Sequence, residues 1–206
     1  MNPERMIEEI RRVYGLSSPL VFSAMLRVPR EEFVPSNLRD RSYEDTALSI
    51  GFGQTISQPF TVAFMTDLLN LKGNEKVLEV GTGSGYQAAL LSLLADEVFT
   101  IERIPELAEG AKNRFEKLGY KNIYVKVGSG EVGWKEKSPF DAIMVTAGTN
   151  EVPKKLFDQL KKCGILVAPV GEGADKEIVK YTKLENRKVK EQKYGTFYFV
   201  PLIESN

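Results

Sequence analysis

Apolar residues along this chain keep two different rhythms, and the change between them divides it. In the first part Met6, Ile7, Ile10, Val13 and Tyr14 fall at helical spacing, which predicts an amphipathic helix over residues 3–14. A second, short helix is predicted around Pro19 to Arg27. It runs into "VPREEFVP", where the prolines forbid a long helix. From Asn74 the rhythm shortens. "EKVLEV", "DEVFTIE", "NIYVKV", "FDAIMVTA" and "GILVAPV" read as strands, and "GYQAALLSLLA", "PELAEGAKNRFEKLG" and "VPKKLFDQLKKC" as helices among them.

Strands alternating with helices of this length form βαβ units, hence an α/β fold with a mostly parallel sheet and helices on both faces. After Gly173, "KEIVKYTKLE" and "KVKEQKYGTFYFVPLI" have no helix between them, which predicts an antiparallel hairpin finishing the sheet. No internal repeat or linker is visible. The expectation is a single domain over residues 1–206. Its helical extension and active-site loop occupy 1–73, laid on an α/β core over 74–206.

Composition narrows the chemistry more than the fold. The 206 residues fit one domain with a substantial core. Lys plus Arg equals Asp plus Glu at 28 each, without the basic excess of a nucleic-acid binder. Histidine is absent, which removes the serine triad, the cysteine–histidine dyad and imidazole-based zinc sites; no metal is expected. Cys163, the one cysteine, cannot form an internal disulfide and is expected as a small buried residue. Trp134 is expected half-buried in a loop, and "KLENRKVKEQK" as a solvated hairpin tip. No segment approaches the roughly 20 apolar residues of a membrane span, and the N-terminus lacks an apolar signal region. A soluble, cytoplasmic protein is expected.

The strongest candidate site lies where the first strand of the core meets its helix, in "EVGTGSGYQAALL". Glu79, Gly81, Thr82, Gly83 and Gly85 stand there, at the carboxyl end of a strand, where open α/β sheets bind ligands. Glycines let a ligand approach the backbone, and the following helix start favours electronegative groups. The second strand ends at Glu102, 21 positions after Gly81, about where such folds place a carboxylate for ribose hydroxyls. A dinucleotide fingerprint, G-x-G-x-x-G, would need glycine at position 86, which is Tyr86. The chain has E-x-G-x-G-x-G instead, which resembles the first motif of S-adenosylmethionine-dependent methyltransferases.

A second stretch, "SIGFGQTISQPFTVAFM", gathers glycines, hydroxyls and amides before a helix. Its simplest reading is a loop with a helix cap, Ser57 or Gln58 at the cap position and Pro59 in the first turn. The motif of amino-methylating nucleic-acid enzymes, D/N/S-P-P-Y/F/W after the fourth strand, is missing from "DAIMVTAGTNEVP". A carboxylate acceptor would need no base, because its reference pKa of about 4 leaves it ionised at neutral pH.

Taken in order, "PREEFVP", "GQTISQP", "VLEVGTGSGYQAA", "IER", "PFDAIMVTAG", "VPKKLFDQLK", "VAPVG" and "FVPL" resemble the protein-L-isoaspartate O-methyltransferase family over most of the chain. The resemblance implies a Rossmann-like methyltransferase fold with a seven-stranded sheet and an antiparallel last strand. It implies methyl transfer from S-adenosyl-L-methionine to the free carboxyl of an L-isoaspartyl residue, whose ester closes to a succinimide and reopens partly as aspartate. The partners it implies are isoaspartyl peptides and unfolded or flexible protein segments, with no nucleic acid or membrane, met by a monomer. Ser57 corresponds to the family's active-site serine, orienting the acceptor carboxylate. Thr55 and Ile56 lie near cofactor and substrate. Gly81, Thr82, Gly83 and Gly85 face the methionine part, Glu102 the ribose, and Thr196 to Phe199 the peptide groove. One departure stands out. The family's third-strand loop reads G-D-G with the aspartate at the adenine amino group, whereas this chain has Gly128, Ser129 and Gly130. Two alternatives remain: another carboxyl or small-molecule methyltransferase on the same fold, or a cofactor-binding protein without turnover.

Overall fold

A computed structural model of the chain describes residues 1–186 and 188–202. Helix α1 (Pro3–Tyr14) starts at Asn2, whose side chain accepts the Arg5 N–H, and ends at Gly15 in the left-handed region. Its apolar stripe, Met6, Ile7 and Ile10, is buried. Helix α2 (Pro19–Arg27) follows, and the proline-bounded stretch after it forms only a 3-10 turn, Arg30–Phe33. Two short strands, β1 (Leu48–Gly51) and β2 (Gln54–Ile56), pair antiparallel in a sheet of their own. Helix α3 (Pro59–Leu68) leads from them to the core.

The core alternates β3 (Lys76–Val80), α4 (Tyr86–Ser92), β4 (Glu97–Glu102), α5 (Pro105–Leu118), β5 (Ile123–Val127), β6 (Phe140–Val145), α6 (Lys154–Gln159) and β7 (Leu160–Val170). The hairpin β8 (Asp175–Lys183) and β9 (Val189–Tyr198) closes the chain. Together they make a seven-stranded sheet in the order β5-β4-β3-β6-β7-β8-β9. Pairings from β5 to β7 are parallel, and β7–β8 and β8–β9 are antiparallel. Strand alternation sends Val77 of β3 to one face, with apolar residues of α1 to α5, and Leu78 and Val80 to the other, with Leu156 of α6. Because β4 lies on one side of β3 and β6 on the other, the order in which strands are added to the sheet reverses between β3 and β6. A crevice opens there, at the carboxyl ends of the strands.

Two expectations are corrected in the segment after β6. The helix expected over 152–163 stops at Gln159, because Leu160 pairs with Phe140 as strand and is buried. Cys163, expected buried, is exposed. The β6–β7 register shifts between Phe140 and Ala142, and Cys163 sits in the resulting bulge at φ +60°, its thiol against the Glu185 carboxylate. Trp134 is half-buried, edge-on to Phe99. Arg187, in the expected hairpin tip, lies outside the described residues, as do 203–206.

Candidate active site

The stretch read as a loop with a cap is a β-hairpin. Leu48 faces Ile56 and Ser49 faces Thr55, with Phe52 exposed at the tip in the left-handed region. Regular alternation was too short there to signal strands. Gln58 takes the cap position of α3, yet neither its side chain nor that of Ser57 caps the helix. The Asp45 carboxylate does so from outside, accepting the Phe60 N–H at 2.8 Å. The same carboxylate accepts from the Gln58 amide at 2.9 Å and the Tyr14 hydroxyl at 2.8 Å. Ser57 is therefore released from the capping role its sequence position suggested.

In the glycine turn, three glycines meet three different demands. A Cβ on Gly81 would collide with Thr146 Oγ1, whose hydroxyl lies 3.0 Å from the Val80 and 2.7 Å from the Gly81 carbonyl. That contact stitches the end of β6 to the end of β3. Gly83, at φ +52°, lines the crevice, and its N–H donates to the Glu102 carboxylate at 2.8 Å. Gly85 faces away from the crevice, against Phe115 and Ala111 of α5. Glu102 also accepts the Ile104 N–H at 3.0 Å, so its orientation is fixed from both sides of the turn.

Glu79 lies beneath the turn, 0% exposed, and does not line the crevice. It accepts from the Thr100 hydroxyl, which is 2.6 Å from that of Thr82 at the crevice wall. Burial pushes the Glu79 carboxyl up to about 8; the Thr100 hydrogen bond opposes this and the nearby Glu102 charge adds to it.

The crevice gathers Thr55, Ile56, Ser57, Gly81, Thr82, Gly83 and Glu102 from the residues singled out in the sequence. It adds Gln54, Thr61, Tyr86, Thr146 and Val200. An adjoining slot shares Gln54, Gly81, Glu102 and Ala147 and is walled by Val80, Ile104, Gly130 and Leu202. Ser129, in contrast to Gly130, lines neither. Its side chain is half-buried and makes no cap at the 3-10 turn that follows. On the other side of Ser57 lies a groove of about 700 Å³, bounded by Tyr14, Asp45, Phe60 and Gly195 to Val200. Thr55, Ser57, Thr61, Thr146 and Val200 belong to both crevice and groove. Thr146 stood within the quoted "PFDAIMVTAG", but nothing local marked it as a shared wall. Asp45 carried no signal, and Tyr14 only that of a helix, since their neighbours at the site are remote in sequence.

These residues suit a nucleoside-bearing sulfonium. A carboxylate stands at the end of β4, a largely apolar slot lies beside it, and Gly81 and Gly83 leave the backbone of the turn open to close approach. Fold and crevice together define an S-adenosylmethionine-dependent methyltransferase of the Rossmann-like class. The family described as Protein-L-isoaspartate(D-aspartate) O-methyltransferase (PCMT) matches over residues 1–206, and the chain belongs to it. A protein-L-isoaspartate O-methyltransferase of Syntrophus aciditrophicus is 51% identical over 97% of this chain and 92% of its own length. That of Dictyoglomus turgidum is also 51% identical, over 96% and 90%. Among solved structures, a Plasmodium falciparum chain assigned as a protein-L-isoaspartate O-methyltransferase, in complex with S-adenosyl-L-homocysteine, superposes with TM-score 0.87 at 25% identity over both full lengths. Another protein-L-isoaspartate O-methyltransferase superposes with TM-score 0.86 at 30% identity over 97% of this chain, which spans 65% of that one.

Proposed function

We infer that this chain methylates the free carboxyl of L-isoaspartyl residues in damaged peptides and proteins, initiating their return toward aspartate. S-adenosyl-L-methionine, bound in the crevice, supplies the methyl group. The observation that carries the reading is the position of Ser57, on the wall common to the crevice and the groove. On this reading its hydroxyl donates to an acceptor carboxylate arriving from the groove. That carboxylate is already ionised at neutral pH, so the chain needs to orient it and exclude water, a proximity mechanism that asks for no histidine.

Glu102, Gly81 and Gly83 would hold the cofactor's ribose and methionine part, and Val80, Ile104, Gly130 and Leu202 its base. Ser129 is adjacent to that slot through Gly130, which supports an adenine contact by its backbone or hydroxyl. Gly85 and Glu79 support the site from behind, by packing α5 and bracing Thr100. The groove's size favours an extended, flexible peptide over a folded surface. Equal numbers of acidic and basic residues favour a protein substrate over nucleic acid. Among the described residues no helix is long and apolar enough to cross a membrane; a cytoplasmic location and a monomeric state are part of the proposed reading.

The deciding experiment offers a synthetic isoaspartyl peptide beside its aspartyl twin, with radiolabelled cofactor. Label in the isoaspartyl peptide alone is expected. Equal labelling of both, or of neither while another carboxylic acid is methylated, would sink the assignment.

A further inference from the structure

The bulkiest fully buried side chain among the described residues is that of Arg30, 0% exposed, in the 3-10 turn after α2. Burying a guanidinium is costly unless its donors are paired. Among the described residues it forms no salt bridge; Nε and Nη2 are paired with neutral carbonyls and Nη1 has no hydrogen-bond partner. Nε donates to the Ser42 carbonyl at 2.7 Å and Nη2 to the Ser57 carbonyl at 2.7 Å. The guanidinium carbon lies 4.7 Å over the centre of the Tyr86 ring.

The Ser57 carbonyl needs such a partner. The first bond of α3 runs from the Val62 N–H to the Gln58 carbonyl at 3.0 Å, one residue further on, and Pro59 has no N–H to offer. Tyr86, at the start of α4, lines the crevice beside the glycine turn. A single cation thus joins the peptide of Ser57 to the helix that follows that turn. Lysine is a poor replacement. An ammonium can donate to two carbonyls, as Lys183 does to those of Phe157 and Leu160, but it is a point charge without a planar fork to lie flat on a ring while reaching both.

We propose that Arg30 is a positioning residue for methyl transfer, fixing the Ser57 peptide against Tyr86 and so placing the Ser57 hydroxyl on the shared wall. This rests on the reading of Ser57 as the group that orients the acceptor carboxylate. Arg30 itself touches neither ligand; it acts through Ser57.

The test is a double-mutant cycle of Arg30→Lys and Ser57→Ala, with kcat measured on an isoaspartyl peptide and S-adenosylhomocysteine affinity by calorimetry. Arg30→Lys is expected to lower kcat roughly 10- to 100-fold, as sub-ångström misplacement of a reacting geometry does. Affinity for S-adenosylhomocysteine should stay within about threefold of the parent. In the double variant, Ser57→Ala should add little to the loss from Arg30→Lys, because a displaced hydroxyl has little left to contribute. If Ser57→Ala alone leaves kcat unchanged, the reading of Ser57 falls, and the proposal with it. If Ser57→Ala slows the reaction but Arg30→Lys does not, or the two losses multiply in full, Arg30 has no positioning role. Should Arg30→Lys fail to fold, Tyr86→Leu removes the ring under the guanidinium and runs the same cycle. Non-additivity with Ser57→Ala then supports the proposal, and full additivity overturns it.

Discussion

Gly85 and Phe115 are packed so closely that a Cβ on Gly85 would lie 2.7 Å from the ring's Cζ. The third glycine of the turn therefore serves the seat of α5, whereas Gly83, two residues earlier, faces the crevice. Substitutions at the two should separate folding from binding. Gly85→Ala is expected to destabilise the protein by about 2–4 kcal/mol, from overpacking and a left-handed backbone, as read by urea unfolding. Gly83→Val should abolish S-adenosylhomocysteine binding by calorimetry, since its side chain would enter the crevice. A β-branched residue at φ +52° also lowers stability, and circular dichroism checks that the variant is still folded. Unchanged affinity in Gly83→Val would mean that the turn is only structural.

Ser57→Ala is expected to keep cofactor affinity within a few-fold and to slow methyl transfer. A hydrogen bond to a charged group is worth roughly 1.5–3 kcal/mol, which corresponds to about 10- to 150-fold in rate. The structure removes the competing explanation by assigning the helix cap to Asp45. A rate within twofold of the parent would leave Ser57 without a role in orienting the acceptor.

Glu79 makes a prediction about pH. Its folded carboxyl is raised from 4.5 to about 8, chiefly by burial. Between those values the unfolded chain releases a proton that the folded chain retains, so this group's contribution to stability falls as pH rises through the window. Glu79→Gln, isosteric and uncharged, should therefore show a flatter dependence of unfolding free energy on pH from 4.5 to about 8. Parallel curves for the two proteins would show that Glu79 titrates normally.

At Ser129, where this chain departs from the family pattern, substitution tests the adenine contact. Ser129→Asp would supply a charged acceptor, and charge-assisted hydrogen bonds are about twice as strong as neutral ones. Binding of S-adenosylhomocysteine should tighten by up to about fivefold, less whatever desolvation of the carboxylate costs. Ser129→Ala should weaken it. If neither substitution moves the dissociation constant, the base is held by the Gly130 side of the slot alone.

The amino-acid order by itself determined the alternation of strands and helices from Asn74 onward, because each element's periodicity is local and strong. It also marked the glycine turn, Glu102 and the "GQTISQP" element, whose residue types are unusual enough to stand out. Local pattern failed where a partner elsewhere in the chain decided the outcome. Leu160 left the helix expected at 152–163 because Phe140 offers it a strand partner, and the bulge that follows turned Cys163 outward. Ser57 lost its capping role because Asp45, twelve residues earlier, supplies the helix start. Gly85 was indistinguishable from Gly83 until Phe115 came to lie against it. The wall shared by crevice and groove draws Thr55 and Ser57, Thr146 and Val200 from three separate stretches. The sheet order sets β3 beside β6, and the bridge of Pro201 to Gly148 returns the end of the chain to the end of β6. The hairpin that leads to Ser57 is a separate sheet, and only tertiary packing sets it against them.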